Sequence, residues 1–135
     1  MIPCDCYCAL LRRSAQSLTA LYDESLAPLG MSITQFNLLT RLDLLQKANG
    51  TQWAEAAGLE RTTLVRNIKG LEKQGWLQRA EGSGKTYELS PAGKAILSEA
   101  RPRWQAIQDK VAAILGPADA AALERIQEKL ERSLG

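Results

Sequence analysis

The chain contains no histidine. That absence excludes a Ser/His/Asp or Cys/His nucleophile pair and any His-ligated zinc site. An acid–base pair would have to come from carboxylates, lysines or tyrosines, and none of these is clustered, so an enzyme is not expected. Cysteine is scarce and lopsided: there are three, all within Cys4 to Cys8, an odd number that closes no disulfide framework. Long apolar runs are missing too. Val111-Ala112-Ala113-Ile114-Leu115 is about the longest, far short of the roughly 20 residues that span a bilayer. Met1 to Asp5 lacks a basic leader with an apolar core, so no secretory signal is expected. The expected setting is the reducing cytoplasm, with free thiols and no membrane partner. Gly84-Lys85-Thr86 looks like the end of a P-loop, but Arg79 stands where the earlier glycine is required and no strand-to-helix context follows. No cofactor and no metal are expected.

What is present fits one folded unit. The 135 residues are 45% hydrophobic and 24% charged, ordinary values for a single globular domain. Residues 4 to 27 read as a helix, with Leu11, Leu18, Leu21, Tyr22, Leu26 and Leu29 at threes, fours and sevens, closed by Pro28 and Gly30. Ser32 with Gln35 forms a capping box ahead of a stripe of Ile33, Phe36, Leu39, Leu42 and Leu45. A short helix follows from Thr51, its expected cap, to Ala57, and another from about Arg61 to Gln74, ending at Gly75. Trp76 to Glu81 and Thr86 to Leu89 read as two strands around Gly82-Ser83-Gly84-Lys85. Ser90-Pro91 opens a helix that Gly116-Pro117 breaks near Leu115, and residues 117 to 134 form the last, with Leu123, Ile126, Leu130 and Leu134 on one side. The expected fold is mainly α with a small β-hairpin wing, a winged helix-turn-helix between terminal helices.

Residues 51 to 89 carry the function. Two short helices joined through Gly58-Leu59-Glu60 match a helix-turn-helix, whose second helix enters the major groove of DNA. At 100° per residue, Thr62, Arg66, Lys69 and Lys73 fall within about 60° of one another, while Leu64, Ile68 and Leu71 lie opposite. From Arg61 to Lys85 six basic residues face two acidic ones, against a net charge of +2 for the whole chain. Such a patch favours a phosphate backbone through counterion release, although any solvated helix carries some lysine and arginine. Trp53 and Trp76 are expected in the core.

Four stretches, in order, resemble the MarR family of bacterial winged-helix regulators. They are residues 22–36 (YDESLAPLGMSITQF), Leu59-Glu60-Arg61-Thr62-Thr63-Leu64-Val65-Arg66, Leu71-Glu72-Lys73-Gln74-Gly75-Trp76-Leu77, and Leu89-Ser90-Pro91-Ala92-Gly93. The resemblance implies a single domain over 1–135, with a DNA-binding lobe at 33–91 and dimerisation helices at 4–30 and 92–134. It implies a homodimer on a pseudo-palindromic double-stranded operator, released by a small effector or oxidant. Leucine-rich stripes at both chain ends independently call for a partner, and Trp104 is a candidate for the junction between copies. Arg61, Thr62, Thr63 and Arg66 are expected to reach base edges or phosphates, with Arg66 the best guanine reader. Asn67 lies off that face. Thr51 and Gln52 would hold a phosphate through backbone N–H groups, and Lys69 and Lys73 would touch phosphates or solvent. Arg79 and Lys85 belong to a wing shorter than is usual in the family and lacking its Asp-x-Arg. The rival reading is a winged-helix protein–protein module that never binds DNA.

The cysteines allow two readings. Cys8 looks aligned with the sensing thiol of the family's organic-hydroperoxide branch and Tyr22 with one supporting tyrosine, whereas the second tyrosine position is Arg12 here. Cys4 would share the face of Cys8, and a helix N-terminus favours a thiolate. The plainer reading is that the thiols are small apolar fillers at a dimer interface. One helix cannot wrap Cys4, Cys6 and Cys8 around a single ion.

Overall fold

The computed structural model describes residues 6–82 and 84–135. Within them run α1 (Tyr7–Leu26), a 3-10 turn (Ala27–Leu29), α2 (Ile33–Leu45), β1 (Ala48–Asn49), α3 (Gly50–Ala57), α4 (Arg61–Lys73), β2 (Leu77–Ala80), β3 (Thr86–Leu89) and α5 (Pro91–Leu134). Polar caps set most of these boundaries. The first helix starts at Tyr7 rather than at residue 4, because Cys6 caps it and its Sγ accepts the Ala9 N–H at 3.4 Å. Cys4 lies outside the described residues. At α2 the capping box forms as read: Ser32 Oγ accepts the Gln35 N–H at 3.1 Å and Gln35 Oε1 accepts the Ser32 N–H at 3.0 Å. Asp23 of α1 takes the next orphan donor, the Ile33 N–H, at 2.7 Å.

The cap of α3 is Asn49, not Thr51. Asn49 Oδ1 accepts the Gln52 N–H at 2.9 Å while Gln52 Oε1 accepts the Asn49 N–H at 3.0 Å, a second reciprocal box. An asparagine in extended backbone reaches the third helical N–H as well as serine does, so the helix begins earlier. Asn49 also belongs to a strand that the sequence reading lacked. Ala48–Asn49 pairs antiparallel with β3, giving a three-stranded sheet of order β1-β3-β2 with Ala48 opposite Tyr87 and Arg79 opposite Tyr87 on the other side. Two residues are too few to show alternation.

The core gathers around α2. Phe36, Leu38, Leu39 and Leu42 are buried with Leu26, Trp53, Leu64, Ile68, Leu71, Trp76, Leu89 and Leu97. Leu45, expected on the α2 stripe, is exposed, and Leu38 is buried in addition, because α2 is covered on several sides rather than along one seam. Trp53 and Trp76 are core residues as expected, and the buried Trp53 indole N–H donates to Leu38 O at 2.9 Å. Trp104 stacks on Phe36, centroids 5.6 Å apart, so it fixes α5 to α2 within one chain.

The step from α4 through the wing to α5 is held by backbone. Gly75, at φ 79, lets the Trp76 N–H return to Leu71 O and the Gly75 N–H to Glu72 O, a Schellman closure of α4. Ser90 then caps α5 at Gly93 N (3.0 Å) and donates its hydroxyl to Gly75 O. A Cβ at Gly93 would sit 2.1 Å from Trp76 O, so the two segments approach more closely than any side chain permits.

α5 is two arms. Gly116 (φ 81, ψ 162) interrupts it where the sequence places the break. Between α1 and these arms lies an apolar groove lined by Leu18, Leu21, Val111, Leu115, Leu123 and Ile126 among others. Leu123, Ile126 and Leu130 remain 44%, 46% and 40% exposed in the single chain. No helix among the described residues is long and apolar enough to cross a membrane.

Candidate nucleic-acid interface

The site is the outer face of α4. Leu64, Ile68 and Leu71 are buried, which turns Thr62, Arg66, Lys69 and Lys73 outward, as the helical period requires. Among the described residues no hydrogen bond or ion pair holds Arg66, Lys69 or Lys73, so three cations stand ready for an external anion. Thr63 is half-buried. Asn67 is turned away as expected: its amide donates to Thr63 O at 2.9 Å.

Arg61 behaves differently from Arg66. Its Nη1 donates to Thr51 Oγ1 at 2.9 Å. The guanidinium also lies over Gly50, where an added Cβ would come within 2.7 Å of Nε. The structure therefore brings two expected DNA contacts together, but bonded to each other as a latch between the starts of α3 and α4. Gln52 needs a correction as well. Its N–H is taken by Asn49 and its side chain closes the same box, so that donor is not offered to a phosphate.

In the wing, Arg79 lies with Cζ 5.2 Å from the ring centre of Tyr87, and Tyr87 packs on Trp53 at 5.9 Å. This cation–π stack anchors Arg79 to the core through two buried rings. Lys85 is exposed beside the turn. Ser83 lies outside the described residues.

Two features of the face escaped the sequence reading. Val65 lies on its flank, 44% exposed, and lines an open depression with Arg61, Thr62, Arg66 and Lys69. Its place at three residues after Thr62 and four before Lys69 was the available signal. Asn49 positions α3; the glutamine three residues on was the available clue.

Among the described residues, Cys8 and Tyr22 are not brought together within one chain. Cys6 and Cys8 are exposed, and Arg12 Nη2 donates to Cys8 Sγ at 3.6 Å. Tyr22 lies fourteen residues further along α1, about 21 Å by helical rise. Its hydroxyl donates to Gln108 Oε1, and burial pushes its pKa above the usual 10.0. No group of acidic or cysteine side chains among the described residues could hold a metal ion.

Residues 31–83 match the MarR family. The M. tuberculosis transcriptional regulator MosR is 32% identical over 96% of both chains with a TM-score of 0.83. The same regulator in complex with DNA is 31% identical over 97% of this chain and all of that one, at 0.82. An uncharacterized HTH-type transcriptional regulator of Bacillus subtilis (strain 168), YwoH, is 27% identical over 75% of this chain and 71% of its own. The repressor CouR bound to p-coumaroyl-CoA shares the fold, with a TM-score of 0.85 at 23% identity over 94% and 92% of the two chains. With a cationic recognition helix on a three-stranded wing and this likeness along nearly its whole length, the chain belongs to the MarR family of DNA-binding transcriptional regulators.

Proposed function

We propose that two copies of this chain bind a pseudo-palindromic operator in cytoplasmic double-stranded DNA and repress transcription until a small effector or an oxidant changes the spacing of their recognition helices. The observation that carries this is the outer face of α4, where Arg66, Lys69 and Lys73 project without partners among the described residues over an apolar face fixed in the core. Residues 33–91 form the DNA-binding lobe and the flanking helices the arms that join the copies. Thr62, Thr63 and Arg66 act at the front of α4, with Arg66 the reader of a guanine edge. Lys69 and Lys73 take phosphates. Thr51 and Arg61 hold α3 to α4 and present their remaining donors to the backbone, while Arg79 and Lys85 steady the wing along it.

Selection of bound duplexes from a random pool, followed by titration of the enriched sequence at several salt concentrations, tests the reading. Several neutralised phosphates make affinity fall steeply between low and physiological salt. No enrichment, or binding indifferent to salt, would favour a protein–protein module instead. The oxidant branch has its own check. Peroxide is expected to release the duplex from wild type and not from Cys8→Ser; equal release from both would remove Cys8 from the mechanism and leave the thiols as packing.

A further inference from the structure

Val65 serves neither the helix nor the core. It is 44% exposed, and its branched Cβ makes it a weaker helix former than alanine. The residues that seat α4 are Leu64, Ile68 and Leu71. Val65 instead lines a shallow, open depression with Arg61, Thr62, Arg66 and Lys69. Thr62, Val65, Arg66 and Lys69 follow the spacing i, i+3, i+4, i+7, so an apolar group stands beside the arginine on the face that meets the ligand.

We propose that Val65 is a specificity-determining residue that packs against the C5-methyl of a thymine in each half-site, next to the base pair read by Arg66. The proposal rests on α4 being the helix that enters the major groove. Phosphates, sugars and the polar edges of bases offer a valine nothing. The thymine methyl is the apolar feature that a major groove displays, and it distinguishes thymine from every other base there. The cations around Val65 select a polyanion over an apolar protein surface, which makes duplex DNA the occupant that satisfies both kinds of group at once.

The test compares full-length wild type with Val65→Ala, first by selection from a random duplex pool. The enriched duplex is then remade with deoxyuridine in place of each thymine in turn, which deletes the methyl and keeps the pairing. Val65→Ala is expected to lose a thymine preference at one position per half-site. Deoxyuridine at that position is expected to weaken wild type about fourfold per half-site, the worth of one buried methyl, and to leave Val65→Ala unchanged. Alanine favours the exposed helix, so the unfolding midpoint should hold or rise. Val65→Thr, which keeps one methyl, should retain part of the preference and stands in if the alanine variant misfolds. Identical selected sequences with equal deoxyuridine sensitivity in all three proteins overturn the role of Val65 while leaving DNA binding intact. Failure of wild type to enrich any duplex overturns the major-groove reading, and this proposal with it.

Discussion

Two arginines on one helix, five residues apart, are assigned different work by what lies beside them. Arg66 has no partner among the described residues and is exposed, so its planar fork can engage a base edge in two parallel bonds. Arg66→Ala is expected to cost about 1–3 kcal/mol on the selected duplex, to relax preference at one base pair, and to leave the unfolding midpoint where it was. Arg61 holds Thr51. Arg61→Ala should therefore lower specific and non-specific affinity by similar factors and also reduce stability by about 0.5–1.5 kcal/mol, the net worth of such a bond. The ratio of specific to non-specific affinity, measured beside urea unfolding, separates the two roles. Helical angle put Arg66 on the outer face, and its place at the front of the helix put Arg61 near the DNA; neither could show that Arg61, nearer the buried side of the helix, folds back on Gly50. Gly93 shows the same limit. It is visible in the sequence as part of a motif, but its reason is a backbone neighbour, Trp76 O, that only the fold supplies. Gly93→Ala is expected to destabilise by about 1–3 kcal/mol in urea unfolding, since that carbonyl cannot move aside as a side chain could.

At the scale of elements, legibility followed length and period. α1, α2 and α4 were readable because several turns repeat one apolar spacing, and the Ser32 box because its two residues are local. β1 was not, since two residues carry no period and become a strand only when β3 lies alongside. With β1 missed, the cap shifted to Thr51. The consequence is testable: Asn49→Ala should cost about 1 kcal/mol in stability, whereas Thr51→Ala removes only the link to Arg61 and leaves the box in place. The seam between α1 and α5 gives a pH signature. The Tyr22 hydroxyl donates to Gln108, and burial raises its pKa, so the folded chain keeps that proton at pH values where the unfolded chain has released it. Stability is thus whole below about 10.0, the ordinary tyrosine value, and declines as pH climbs through the higher folded value. Tyr22→Phe should flatten this alkaline limb, as followed by unfolding midpoints from pH 8 upward, and lower the midpoint at neutral pH through loss of the bond.

For the whole molecule the decisive fact is what one chain leaves uncovered. The leucine stripes at both ends were legible as stripes, but in the single chain Leu123, Ile126 and Leu130 are 40–46% exposed around a groove that reaches Leu18 and Leu21 of α1. An apolar surface of that extent is stable in water when a second copy covers it, and the symmetry of a pair also sets two α4 helices for successive half-sites about 10 base pairs apart. Binding strength then has two sources, the contacts of one α4 and the linkage of two. They can be separated by charge. Ile126→Glu places a carboxylate in the seam, far in sequence from residues 33–91, and unpaired burial of that charge is prohibitive. Sedimentation should show monomers at concentrations where wild type is dimeric, while circular dichroism keeps the helical signal of the lobe. Affinity for the full operator should fall by about 100-fold or more, yet affinity for a duplex carrying a single half-site should hardly change. Equal losses on both duplexes would mean that the substitution had damaged α4 itself, and an undiminished dimer would mean that the copies meet through some other face.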